Sequence, residues 1–227
     1  MVEHDNSYKN FFSHSEMVRD LLLGFVKEDW VEQLDLTSLE KVSGSYVTDD
    51  LRDREDDIIW RIRWGDSWLY VYLLIEFQST VDKYMALRIM VYVGLLYQDL
   101  IKSGKIPEKV KLPPVLPIVL YNGKPRWFAA TEINDLIQDV GGGLGKYLPH
   151  LKYLLLDEGS FADEDLKPLK NLVAALFRLE NLKSARDLFE IVPTLLEWLS
   201  DPKQASLHRA FTVWLSRVLF PLKFGEE

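Results

Sequence analysis

Asp56-Asp57-Ile58-Ile59-Trp60-Arg61-Ile62-Arg63-Trp64, then Gly65-Asp66-Ser67, then Trp68-Leu69-Tyr70-Val71-Tyr72-Leu73-Leu74-Ile75-Glu76-Phe77-Gln78-Ser79: two runs rich in β-branched and aromatic residues flank a turn signal, the pattern of a β-hairpin. Folding back about the turn brings Asp57 opposite Leu74 and Ile75, within about two residues of Glu76. Side chains alternate along a strand, so Glu76 and Gln78 share one face and Phe77 takes the other. Leu73-Leu74-Ile75 is a continuous apolar run, which suits a central strand buried on both faces. A carboxylate is costly to bury there without a partner or a metal. Two carboxylates facing one hard cation such as Mg²⁺ meet that cost. Asp56 replaces Asp57 in this scheme if the register slips by one residue.

Around this hairpin lies an ordered set of further motifs. His4-Asp5 and Tyr8-Lys9-Asn10-Phe11-Phe12 open the chain; Asp49-Asp50-Leu51-Arg52 precedes the first strand; Arg88-Ile89-Met90 and Tyr92 follow the second; Pro117-Ile118-Val119-Leu120-Tyr121-Asn122-Gly123 comes later. With Asp57 and Glu76-Phe77-Gln78-Ser79, this set resembles the Rpn family of recombination-promoting nucleases, also called YhgA-like transposases, of the PD-(D/E)XK nuclease superfamily. The resemblance covers roughly residues 4–160. It implies a restriction-endonuclease-like α/β core, a mixed central sheet flanked by helices, and metal-dependent hydrolysis of DNA phosphodiesters. Asp57 and Glu76 would hold Mg²⁺ (Mn²⁺ or Ca²⁺ as alternatives), helped by the backbone carbonyl of Phe77. The superfamily places Lys two residues after the Glu. Here Gln78 stands there, as in the resembled family; it can orient a water by hydrogen bonding but brings no charge. Many enzymes of the superfamily add an acidic residue on the first helix, which makes Glu16 a further candidate, although its position falls off the apolar stripe of that helix.

The chain of 227 residues is long enough for one well-filled domain with a helical annex. It contains no cysteine, which excludes disulfides, thiol nucleophiles and zinc–thiolate sites and fits a reducing, cytoplasmic setting. The polar start is unlike a signal peptide, and charges and prolines interrupt every apolar run before membrane length. Four histidines show no ligand spacing. Gly141-Gly142-Gly143-Leu144-Gly145-Lys146-Tyr147 fails as a phosphate loop, because Val140 stands at the first glycine and Tyr147 at the Ser/Thr position.

The net charge of −8 argues mildly against nucleic acid, yet residues 101–130 carry Lys102, Lys105, Lys109, Lys111, Lys124 and Arg126 against the single carboxylate of Glu108. Lys124-Pro125-Arg126-Trp127-Phe128 is a basic and aromatic loop with two readings, a DNA contact or a packed surface turn. Arg88 lies on a strongly apolar helix predicted over Val81–Ser103, with Tyr84, Leu87, Val91, Tyr92 and Leu95 on its face. A guanidinium there wants an anion, either a scissile phosphate or a structural carboxylate.

The remaining pattern predicts a helix over 7–27, with Tyr8, Phe11, Phe12, Ser15, Val18, Leu22 and Phe25 in one stripe, and a connection over 28–44. A first strand is predicted at Val42–Thr48, and further strands at Val115–Tyr121 and Tyr153–Asp157. Helices follow at Leu166–Leu179, Ala185–Leu199 and Gln204–Phe220. The expected organisation is a nuclease core over 1–160 and a helical region over 161–227 that packs on the core or mediates self-association. The expected function is a Mg²⁺-dependent DNA endonuclease of recombination or mobile elements, with Asp57, Glu76 and Gln78 catalytic and Arg88, Lys124 and Arg126 on DNA. The alternative is a catalytically inactive nuclease-fold module that binds DNA or a partner.

Overall fold

The computed structural model describes residues 2–42, 57–76, 81–106, 110–139, 141–182 and 184–225. Contacts group the chain into two compact units, residues 34–157 and residues 1–33 with 158–227. The two N-terminal helices thus group with the C-terminal helices rather than with the sheet.

The sheet unit is built on the hairpin. Strands β2 (Asp57–Trp64) and β3 (Ser67–Glu76) pair antiparallel from Trp64↔Ser67 to Asp57↔Leu74. Gly65 takes φ +56° at the first turn position, where a two-residue hairpin needs a residue without Cβ. Strand β4 (Val115–Tyr121) runs parallel to β3, from Tyr70↔Val115 to Glu76↔Tyr121, and β5 (Leu154–Asp157) runs parallel to β4. Strand β1 (Leu34–Lys41) pairs antiparallel with β2 at one edge, with a register irregularity between Asp35 and Glu40. The order is β1-β2-β3-β4-β5, a mixed sheet of the expected α/β class. Strand β1 lies within the stretch read as connection; Ser43–Thr48, nearly all of the strand predicted at Val42–Thr48, fall outside the described residues.

A parallel β3–β4 pair needs a crossover, and helix α3 (Met85–Lys102) supplies it. Gly104, at φ +68°, follows its end. Met85, Ile89, Tyr92, Val93, Leu96 and Leu100 pack in one cluster with Ile59, Tyr70, Tyr72 and Val119 of the sheet. Burial of each such side chain stabilises the packing by about 1.5–3 kcal/mol. The buried stripe is turned from the predicted one: Tyr84, Leu87 and Val91 are exposed. The helix is apolar nearly all round, so periodicity alone did not choose its inner face. Residues of the opposite pleat, including Ile58, Trp60, Ile62, Val71, Leu73, Ile118 and Leu120, are buried as well, which accounts for the continuous apolar reading of β3.

In the helical unit the predicted 7–27 helix is two helices, α1 (Val2–Phe11) and α2 (Ser15–Phe25). Ser13 ends the first: its Oγ donates to the Lys9 carbonyl (2.6 Å), and the His14 ring lies 2.8 Å from the Asn10 carbonyl. Side chains thereby occupy carbonyls that a continuing helix would have used. The apolar stripe persists across the break, with Tyr8, Phe11, Phe12, Val18, Leu22 and Phe25 all buried. Phe11 stacks on Phe211 at 4.3 Å. Helix α4 (Leu172–Glu180) is capped twice: the Asn171 side chain accepts from Ala174 N (2.8 Å), and the buried Asp20 accepts from Leu172 N (2.7 Å). Upstream, Lys170 at φ 49° separates α4 from a single helical turn at Asp163–Leu166, where Pro168 interrupts the predicted 166–179 helix. Helix α5 (Ala185–Trp198) opens on a capping box of Ser184 and Asp187. Helix α6 (Ala205–Trp214) continues through a π turn at Leu215–Leu219 into α7 (Phe220–Phe224). Among the described residues no helix is long and apolar enough to cross a membrane.

Candidate active site

The carboxyl ends of parallel strands β3, β4 and β5 close the sheet unit on one side, the edge at which open α/β sheets bind ligands. Register places Glu76, Tyr121 and Asp157 in one row across these ends. Asp57 enters the same side from β2, paired with Leu74 and two residues short of Glu76. Their positions have one pleat parity and are diagonal neighbours, about 7–8 Å apart by Cα. Hairpin register therefore brings Asp57 and Glu76 together. Phe77, Gln78 and Asp56 lie outside the described residues, as does the rest of the acidic run before Asp57. Glu16 sits in the first turn of α2, where it accepts from Ser15 Oγ at 3.2 Å. It belongs to the helical unit, whereas Asp57 and Glu76 belong to the sheet unit.

Helix α3 begins nine residues after Glu76 and carries Arg88 in its first turns. The Arg88 Nη1 donates to Asp82 Oδ2 (3.1 Å) and its Nε to Tyr92 Oη (3.1 Å), while its guanidinium carbon stands 5.7 Å from the Tyr92 ring centroid. The i, i+4 spacing makes the Arg88–Tyr92 contact; Asp82, from the segment leading into the helix, closes the other side. Arg88 is thus a guanidinium of fixed direction, one third exposed.

Arg126 is fixed in the same manner. Its Nη1 meets Asp157 Oδ1 (2.5 Å) and its Nη2 donates to the Gly123 carbonyl (3.0 Å), while Trp127 N donates to Asp157 Oδ2 (3.1 Å). Asp157 is almost wholly buried and Arg126 about half exposed. The loop after β4 wraps the Tyr121 side chain, whose Oη donates to the Pro125 carbonyl (2.8 Å) and whose ring meets Trp127 edge-on at 4.9 Å. A Cβ at Gly123 would collide with that ring, which explains the glycine two residues after the tyrosine. Trp127 Nε1 donates to Tyr153 Oη (3.1 Å). Burial first, then the charge of Asp82, pushes the Tyr153 phenol up to about 12, although the Trp127 bond opposes the shift. Lys124 projects from this loop, exposed.

Asp82 and Asp157 escaped the sequence reading. Each is a short-range signal without its partner: Asp157 ends a strand, and Asp82 precedes a helix. Only the register row of Glu76, Tyr121 and Asp157, which needs the β4–β5 pairing, would have singled out the latter.

A family described as "Putative transposase, YhgA-like" matches residues 2–208. The chain is 35% identical over 120 residues to "Recombination-promoting nuclease RpnD" of Escherichia coli O157:H7, covering 53% of this chain and 45% of that one. It is 32% identical over 120 residues to "Recombination-promoting nuclease RpnA" of Escherichia coli strain K12, covering 53% and 40%. It is also 26% identical over 189 residues to "Inactive recombination-promoting nuclease-like protein RpnE" of the same strain, covering 83% and 61%. The matched stretch spans less than half the length of the first two relatives. No solved structure matches the chain with significance. With residues 2–208 matched, and with two relatives named recombination-promoting nucleases similar to it over 120 residues each, this chain belongs to the YhgA-like transposase family.

Proposed function

We propose that this protein hydrolyses DNA phosphodiester bonds at the carboxyl end of β3. The observation that carries this reading is the hairpin register, in which Asp57 pairs with Leu74, two residues before Glu76 on the same strand. Two carboxylates on neighbouring strands form a donor set of the kind a hard cation takes, so Asp57 and Glu76, with the Phe77 carbonyl, would hold Mg²⁺. When bound, such an ion polarises a phosphoryl oxygen and lowers the pKa of a coordinated water. The chain's own residues supply the rest. Gln78 orients the attacking water by a neutral hydrogen bond. Arg88 offers a directed, permanently charged donor to a phosphate oxygen, with Asp82 and Tyr92 limiting its motion. Lys124 and Arg126 add cations from the β4 loop.

A second reading is a DNA-binding or interaction module without catalysis. The similarity to a relative named inactive, which extends over 83% of the chain, favours it. Cleavage of supercoiled plasmid separates the two. Wild type and Asp57→Ala/Glu76→Ala are compared with Mg²⁺, Mn²⁺, Ca²⁺ or EDTA, each checked for folding by circular dichroism. Metal-dependent cutting lost in the double variant supports the nuclease. No cutting by folded wild type supports the module, and equal cutting by both proteins rejects these carboxylates.

A further inference from the structure

Strand β2 carries a second feature at the opposite end from Asp57. Arg61 and Arg63 occupy alternate positions, so both fall on one pleat face, and both stack on one indole: their guanidinium carbons lie 4.3 and 4.2 Å from the Trp68 ring centroid. Register explains this, since Arg63 pairs directly with Trp68 across the hairpin and Arg61 with Tyr70. Arg61 is tied down by Glu40 of β1, with Nε and Nη2 at 2.9 and 2.6 Å from the same oxygen. Arg63 is exposed, and among the described residues no carboxylate pairs with it. The nearest acidic position in register, Asp35, turns its carboxylate to Thr37 (Oγ1 at 2.6 Å, N at 3.1 Å). Lys105 follows the end of α3, whose inner face packs on Ile59 and Tyr70 of the same pleat face; burial and then the charge of Arg61 push its ammonium below the usual lysine range, and Asp99 and Glu40 oppose the shift.

Glu40 balances the charge of Arg61, which leaves Arg63 as the guanidinium of the pair that an outside anion can meet. Stacking on an aromatic ring keeps its N–H edge directed toward an anion with several oxygens. The distance from Asp57 suits a polymer. Six residues of strand at about 3.3 Å each span roughly 20 Å, and successive phosphates of one DNA strand advance by about 3.4 Å along the helix axis.

We propose that Arg61, Arg63 and Lys105 around Trp68 form a second DNA-phosphate site, an exosite that grips the duplex about six base pairs from the bond to be cut. The placement rests on the reading of Asp57 and Glu76 as the hydrolytic site; the binding itself does not.

The test uses Arg63→Gln and Arg63→Gln/Lys105→Gln, surface changes that leave the Arg61–Glu40 pair in place. Fluorescence anisotropy of a labelled duplex of about 30 base pairs, in EDTA across a salt series, reads the number of phosphate contacts. Each lost contact should flatten the slope of log K against log salt by about 0.9, so the double variant should lose about 1.8. Cleavage with Mg²⁺ then compares duplexes extending about 4 and about 12 base pairs beyond the cut. The double variant should cut the long one roughly tenfold more slowly at limiting DNA and the short one at the wild-type rate. An unchanged salt slope, or equal loss on both lengths, overturns the exosite while leaving a cutting wild type intact as a nuclease. A wild type that binds but never cuts, with the flattened slope in the variant, rejects the hydrolytic reading and keeps the DNA site. A wild type that does not bind DNA overturns both.

Discussion

Gly123→Ala puts the architecture of the β4 loop to a quantitative test. The new methyl would overlap Oη and Cζ of Tyr121 and stand 2.5 Å from its Cε2, where ordinary contact begins at 3.4 Å. The ring must retreat by about 1 Å. It is fully buried, so it has no solvent side to move into. Retreat stretches the Tyr121–Pro125 hydrogen bond, worth about 1 kcal/mol net. It also disturbs the edge-on pair with Trp127, worth about 0.5–1.5 kcal/mol, and forces overpacking at about 1–3 kcal/mol. These terms overlap, so a loss of roughly 2–4 kcal/mol is expected.

Urea unfolding followed by tryptophan fluorescence measures the loss, and a double-mutant cycle assigns it. On a Tyr121→Leu background, which has no ring to collide with, the same Gly123→Ala change should cost under about 1 kcal/mol, because coupled neighbours are non-additive. An equal cost on both backgrounds would refute the steric account and leave only a backbone effect. A Gly123→Ala variant as stable as wild type would refute it outright. The loop also carries Lys124 and Arg126, so the variant should weaken DNA binding in parallel with its loss of near-ultraviolet circular dichroism.

The other perturbations probe separate contacts. Arg88→Lys loses the Nε–Tyr92 bond and the planar fork, so DNA affinity should fall by roughly ten- to a hundredfold, as one charge-assisted hydrogen bond of about 1.5–3 kcal/mol implies; Asp82→Asn should give a smaller loss in the same titration. Tyr8 donates to Glu158 (2.9 Å) and lies 3.2 Å from Glu180, and burial, then those carboxylates, push its phenol well above 10.0. A phenol held protonated contributes stability that is complete below pH 10 and is lost as pH climbs from there toward the folded value. Unfolding free energies from urea titrations should therefore drop between pH 10 and 11 with a slope of up to about 1.4 kcal/mol per pH unit from this group, and Tyr8→Phe, less stable at pH 7, should show a shallower drop. Asn171→Ala removes one of the two caps of α4, leaving Asp20 on Leu172 N, and should cost about 1–2 kcal/mol in the same assay.

What the sequence disclosed follows from how local each feature is. The hairpin register was legible because a two-residue turn leaves the pairing almost no freedom, and it carried Asp57 to Glu76 with it. The core face of α3 was not, since Tyr84, Leu87 and Val91 repeat with the same period as Met85, Ile89 and Val93, and only the sheet decides between them. Strand β1 was missed because an edge strand with Asp35, Thr37, Ser38, Glu40 and Lys41 has little apolar alternation to detect. The break between α1 and α2 was invisible because the stripe continues in phase through Phe12. Asp157 pairs with Arg126 across 31 positions, a distance that no local pattern spans.

The fixed arginines also bear on how a chain of net charge −8 would meet a polyanion. Arg88 is held by Asp82 and Tyr92, Arg126 by Asp157, and Arg61 and Arg63 by Trp68. Each guanidinium is ordered by a neighbour before any ligand arrives, so less conformational entropy is lost when a phosphate is bound. Counterion release depends on contacts made rather than on net charge. Binding and cutting should therefore separate cleanly. If Asp57 and Glu76 line the proposed site, then in EDTA no cation offsets their charge, so Asp57→Ala/Glu76→Ala should bind DNA at least as tightly as wild type, with an unchanged salt slope. A double variant that lost binding in EDTA would mean that these two positions shape the DNA surface itself, and the division between carboxylates that cut and arginines that hold would fail.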